Sequence, residues 1–152
     1  MAENVSTMDS KQYIVVELGN EQYGIDIQYI DNIVRMQRIT RVPKAQHFFK
    51  GVINLRGEVI PVMSLRLKMD LPADEITKAT RIIILKVEQD GMIGVIVDEV
   101  KEVVTLDSTQ IEKVSHDNKE EKANYINGIG KYEGGLISLL DLNTVTLEKE
   151  NA

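Results

Sequence analysis

With 152 residues, 43% of them apolar and 28% charged, the chain can build one packed domain or two small β units sharing a core, and is too apolar for a disordered one. The absence of cysteine excludes thiol nucleophiles, disulfides and thiolate metal sites, and fits a reducing, cytoplasmic compartment. A net charge of −6 repels polyphosphate, so nucleic acid is not an expected partner; no run approaches the roughly 18 apolar residues of a membrane helix, so no direct insertion is expected.

Residues 1–11 lack both a basic start and an apolar stretch, which reads as a flexible arm and not as a secretory signal. Beyond them, 18 Ile and 16 Val against 7 aromatics favour strands, because β-branched side chains suit a pleated surface. Residues 12–18 and 21–27 predict a hairpin around Gly19-Asn20, where both residues tolerate positive φ. The spacing of Ile27, Ile30, Ile33 and Val34 fits either a helical turn or a twisted strand. A second hairpin is predicted from residues 52–55 and 59–63 around Arg56-Gly57, followed by an irregular or helical exit through Leu65, Leu67, Met69 and Leu71 to a boundary near Pro72.

The order then recurs. Residues 82–87 and 92–97 predict a hairpin through residues 89–91, Val97, Val100, Val103 and Val104 repeat the ambiguous spacing, and residues 126–132 and 136–140 predict a hairpin around Gly134-Gly135. Residues 117–122 mix charge signs without an apolar residue and read as a solvated loop. A short terminal helix is expected over about 141–149.

This recurrence is an internal duplication. At an offset of 70 residues Gly24 falls on Gly94, and Ile25, Ile27, Ile30, Ile33 and Val34 fall on Val95, Val97, Val100, Val103 and Val104. At an offset of 77, Gly51-Val52 falls on Gly128-Ile129 and residues 57–65 fall on 134–142. Gly24 and Gly94 interrupt strand-like runs, which implies a bulge, a corner or a close backbone approach; Gly24 and Gly57 are read as structural turn positions. Two small β-barrels packed on one another would bury the strand edges, the first mostly residues 12–72 and the second mostly 80–142.

Catalytic chemistry is not visible. His47 and His116 lie 69 positions apart with no further metal-ligand spacing, no serine stands in a Gly-x-Ser-x-Gly turn, and Gly128-Ile129-Gly130-Lys131 lacks the helix a phosphate loop needs. No cofactor and no metal are therefore expected. Asp26 and Asp98 end strands and are read as caps of the turns that follow. Arg56, a multi-donor on a tight hairpin turn, suits contact with a partner's carboxylates or carbonyls, although a solvated turn arginine is the simpler reading of composition alone.

The motifs Glu21-Gln22-Tyr23-Gly24-Ile25-Asp26-Ile27, Gly51-Val52-Ile53-Asn54-Leu55-Arg56-Gly57 with Ile60-Pro61-Val62, and Gly94-Val95-Ile96-Val97-Asp98 strongly resemble the CheW family of bacterial chemotaxis coupling proteins, in family order over about residues 12–147. The resemblance implies a mainly β domain of two intertwined five-stranded barrels like those of Src-homology-3 domains, with short helices. It implies a non-catalytic adaptor, monomeric in isolation, that couples the histidine kinase CheA, through a regulatory domain of the same fold, to the cytoplasmic tips of methyl-accepting chemoreceptors in membrane-associated arrays. Carried over by position, the receptor groove falls on Ile30, Ile33, Arg56, Ile82, Ile84, Gly94 and Val97, and the kinase contact on Ile39, Arg41 and Val42. A second kinase contact falls near residues 114–118, which lack the apolar character it needs. An adaptor of CheV type, with a receiver domain for which no residues follow Ala152, and a small-ligand binder or enzyme using the inter-barrel groove are the alternatives.

Overall fold

The computed structural model describes residues 10–87, 91–114 and 125–146. Among these residues eleven strands occur: β1 (Lys11–Leu18), β2 (Glu21–Asp26), β3 (Ile30–Arg35), β4 (Phe49–Leu55), β5 (Glu58–Ser64), β6 (Arg81–Val87), β7 (Gly91–Val97), β8 (Glu99–Leu106), β9 (Ile111–Lys113), β10 (Ile126–Tyr132) and β11 (Gly135–Leu140). Two one-turn helices, α1 (Leu65–Lys68) and α2 (Leu142–Val145), follow β5 and β11. The side chains of Ser64 and Asp141, which the duplication superposes, cap them by accepting from Leu67 N and Thr144 N. The terminal helix expected to about residue 149 lies beyond the described residues after 146.

Six strands form one sheet in the order β8-β1-β2-β11-β10-β9, and five form a second in the order β3-β6-β7-β5-β4. Neither sheet belongs to one half of the sequence. Each sheet is built mostly from one half, residues 12–72 or 80–142, and takes one hairpin from the other: the β1–β2 hairpin sits among the strands of the second half, and the β6–β7 hairpin among those of the first. The two parallel junctions are β2 with β11 and β5 with β7, pairing Gly24 with Leu139 and Gly94 with Val62, positions that the duplication superposes. Exchange of equivalent hairpins between equivalent halves is thus the physical content of the repeat.

Glycine at these junctions is set by crowding. A Cβ on Gly24 would stand 2.8 Å from Leu139 Cδ2, and one on Gly94 2.8 Å from Ile82 Cγ2, so Gly24 is a close-approach position inside β2 and not a turn. Gly57 is in the β4–β5 turn, with φ of 84°.

The core has three layers. Ile14, Val16, Leu18, Ile83, Leu85, Val95 and Val97 form a central layer to which both sheets contribute. Alternate residues of the same strands face outward, Tyr13 and Val15 into a layer with Leu106, Ile137 and Leu139, and Ile82 and Ile84 into one with Ile53, Ile60, Val62 and Ile96. Strands β1 and β6 are therefore buried on both faces, which is why Ile82-Ile83-Ile84-Leu85 is continuously apolar. The ambiguous stretches resolve as strands: Ile27–Tyr29 is a 3-10 turn leading into β3, and β8 is extended throughout.

Candidate functional site

The residues carried over for a receptor groove separate by depth. Ile30 and Ile33, on the outer strand β3, are half-buried and pack on the edge of the central layer. Ile82, Ile84 and Val97 are fully buried, and Gly94 is buried beneath Ile82. These four shape the packing under a surface; as folded they offer a partner no surface of their own, because β6 and β7 are covered on both faces. Arg56 is exposed on the β4–β5 turn.

That turn holds its arginine at a cost. Arg56 and Gly57 have φ of 56° and 84°, the two left-handed positions of a turn that suits Asn-Gly, and Asn54 Oδ1 accepts from Gly57 N at 3.2 Å. A side chain longer than Asn in that region costs about 1 kcal/mol. Arg56→Asn is accordingly expected to raise the unfolding free energy by up to about 1 kcal/mol, measured by denaturant melts, while removing the guanidinium. A fall in stability would show that Arg56 is held by contacts instead.

Ile39, Arg41 and Val42 lie together on the segment between β3 and β4. Thr40 and Val52 exchange both backbone hydrogen bonds at 2.8 Å, fastening the segment to β4, while Ile39 packs on the outer layer of the second sheet. Arg41 is exposed, and Val42 is 46% exposed, one of few large apolar side chains so placed. Ile39, Arg41, Val42, Lys44, His47 and Lys50 share one concavity. Of the possible second kinase contact, only Val114 is among the described residues.

Asp26 caps its turn by accepting from Gln28 N at 2.9 Å. Asp98 does not cap the turn after it; it joins the two sheets. Where β7 leaves one sheet and β8 enters the other, its carboxylate accepts from Arg66 Nε and Nη2 at 2.8 and 2.7 Å and from Gly19 N at 2.8 Å. Arg66 also donates to Pro72 O at 3.0 Å. The hydrogen bonds from Arg66 hold the Asp98 carboxyl below the usual carboxylate range, and those to Asp98 raise the Arg66 pKa. Its partners stand 32 and 79 positions away, and no local motif marks them. Among the described residues no group of three or more His, Cys, Asp or Glu is placed to hold a metal ion.

A model of the CheW-like domain matches residues 12–150. The chain belongs to the CheW family. Among its CheW-family relatives, the chemotaxis protein CheW of Bacillus subtilis is 37% identical over 142 residues, covering 93% of this chain and 90% of the relative. The chemotaxis protein CheW of Helicobacter pylori is 34% identical over 134 residues, 88% and 80% of the two chains. The crystal structure of the scaffolding protein TtCheW from Thermoanaerobacter tengcongensis superposes with a TM-score of 0.82 at 31% identity, covering 93% of this chain and 97% of that one. The two-sheet architecture is thus the CheW scaffold fold. No helix among the described residues is long and apolar enough to cross a membrane.

Proposed function

We propose that this CheW-family chain is a non-catalytic chemotaxis adaptor that binds the histidine kinase CheA and the cytoplasmic tips of chemoreceptors, and so lets receptors control the kinase. The observation that carries the reading is the match of a CheW-like domain to nearly the whole described fold, with the Asn-Leu-Arg-Gly turn raised on a rigid hairpin. In this reading Arg56 and the half-buried Ile30 and Ile33 meet the receptor. Ile82, Ile84, Gly94 and Val97 act from beneath, by fixing the shape of that face. Ile39, Arg41 and Val42 meet the kinase. The protein works in the cytoplasm and reaches receptor arrays through these contacts.

The test is co-sedimentation of the chain with CheA and a receptor cytoplasmic fragment, together with kinase activity. Receptor-dependent stimulation is expected to need the chain in stoichiometric amounts, as a bridge does; saturation at trace amounts would point to a catalyst. Arg56→Glu is expected to lower receptor capture by about tenfold or more by reversing a charge at a contact, with kinase binding and the melting curve unchanged. Equal loss of both partners would sink the assignment of Arg56.

A further inference from the structure

The chain is acidic, but one stretch is not. Residues 32–57 contain Arg35, Arg38, Arg41, Lys44, Lys50 and Arg56 and no Asp or Glu, leaving 12 basic against 24 acidic residues in the rest. All six cations are exposed, and none is ion-paired to a described residue. Elsewhere cations do find partners, as Lys11 with Asp26, Lys86 with Asp31 and Lys101 with Glu17 and Glu99.

The fold concentrates this charge. Met36 and Ile39 both pack on the outer layer of the second sheet, so Arg35 and Arg38 are carried on a segment anchored from below. Arg35 pairs in register with Arg81, and like charges opposite one another across strands are destabilising without a counter-charge. Lys44 follows Pro43 in a turn with φ of 64°, a position glycine would fill without strain. Val42 is exposed among these cations, and the concavity lined by Arg41, Lys44 and Lys50 has no acidic wall.

We propose that the face carried by residues 35–50 receives an acidic protein surface, one whose carboxylates are interspersed with apolar side chains. The inference rests on the reading that the kinase docks at Ile39, Arg41 and Val42, and deepens it by naming the chemistry of the partner's face. Cations steer the encounter, while Val42 and the stem of Arg41 supply the apolar contact. An anionic bilayer fits less well, because a plane of charge would also face the acidic remainder of the chain.

The experiment titrates the full chain with CheA from about 50 to about 400 mM NaCl, where screening lengths fall through the size of such a patch. Affinity is expected to drop steadily with salt. The triple variant Arg38→Gln, Arg41→Gln, Lys44→Gln is expected to bind about tenfold or more weakly at low salt and to lose most of the salt dependence. Lys101→Gln, on β8 and outside residues 35–50, is expected to stay within about twofold of the parent, as a substitution that spares the patch charge should. Should the triple variant melt early, Arg38→Gln alone against Lys101→Gln carries the same comparison, with the loss of salt dependence expected only for the former. Kinase binding indifferent to salt and to these charges would overturn the acidic partner and leave the adaptor reading standing. No kinase binding by the parent at any salt would remove both. Binding to phosphatidylglycerol vesicles that the triple variant abolishes, with kinase affinity unaffected, would assign the face to membrane and refute a protein occupant.

Discussion

Gly51→Ala is expected to destabilise the protein by about 2–4 kcal/mol, combining a left-handed backbone penalty at a buried glycine with the loss of a backbone hydrogen-bond pair. Gly51 has φ of 142°, and a Cβ there would stand 2.0 Å from Thr40 O, a backbone atom. Rotating a side chain cannot relieve that clash; the segment holding Thr40 must move. Thr40 N to Val52 O and Val52 N to Thr40 O, both at 2.8 Å, are the bonds at risk, and the β4–β5 register already shifts between Phe49 and Gly51. For a chain of this size such a loss lowers the melting temperature by on the order of 10 °C. Ile39, Arg41 and Val42 ride on the displaced segment, so if they meet the kinase as proposed, kinase affinity is expected to fall even at temperatures where the variant remains folded. A thermal melt within about 2 °C of the parent, less than about 1 kcal/mol on the same scale, would show that the bulge tolerates a side chain.

Much of this fold was legible because its signals are local. Gly19-Asn20 and Arg56-Gly57 are adjacent residues that set a turn by themselves, and each stands between observed paired strands; the third turn falls one residue earlier than expected, on Glu133-Gly134, because Gly135 opens β11 opposite Tyr132. The β3 and β8 stretches were ambiguous for a physical reason. Ile27 sits in a 3-10 turn and the β3–β6 register shifts between Ile30 and Asn32, so the apolar positions drift out of the strict alternation that marks a strand. The exchange of hairpins left no local trace, since it depends on which half a strand pairs with after both have formed. Gly24 and Gly94 were its nearest sign: each is a glycine inside a strand, placed where strands from opposite halves meet. Of the proposed site, the exposure of Arg56, Arg41 and Val42 was legible from their places on a tight turn and beside Pro43, whereas the depth of Ile82, Ile84 and Val97 followed only from a topology that covers β6 and β7 on both faces.

Asp98→Ala is expected to cost about 2–4 kcal/mol, the range for removing one member of a part-buried, charge-assisted pair and leaving its partner uncompensated. The Arg66 and Asp98 side chains are 17% and 27% exposed, dry enough for the pair to matter and wet enough to keep the effect well below that of a sealed ion pair. Three donors lose their acceptor together: Arg66 Nε, Arg66 Nη2 and Gly19 N. The sign of the pH dependence follows. Arg66 holds the folded pKa of Asp98 below its unfolded value, so the carboxylate contributes its full stability above the ordinary carboxylate pKa of about 4 and loses it as pH falls through the lower folded value. Asp98→Asn, which keeps the shape but not the charge, is therefore expected to destabilise at neutral pH and to narrow its gap from the parent in denaturant melts below about pH 4. A gap that stayed constant from neutral to strongly acidic pH would mean that Asp98 acts by packing alone. Since Asp98 stands where the chain passes from one sheet to the other, its loss is expected to loosen the relation between sheets before either sheet unfolds. Hydrogen exchange would show this as faster exchange at Gly19 and along the β7–β8 junction, ahead of the amides of β6.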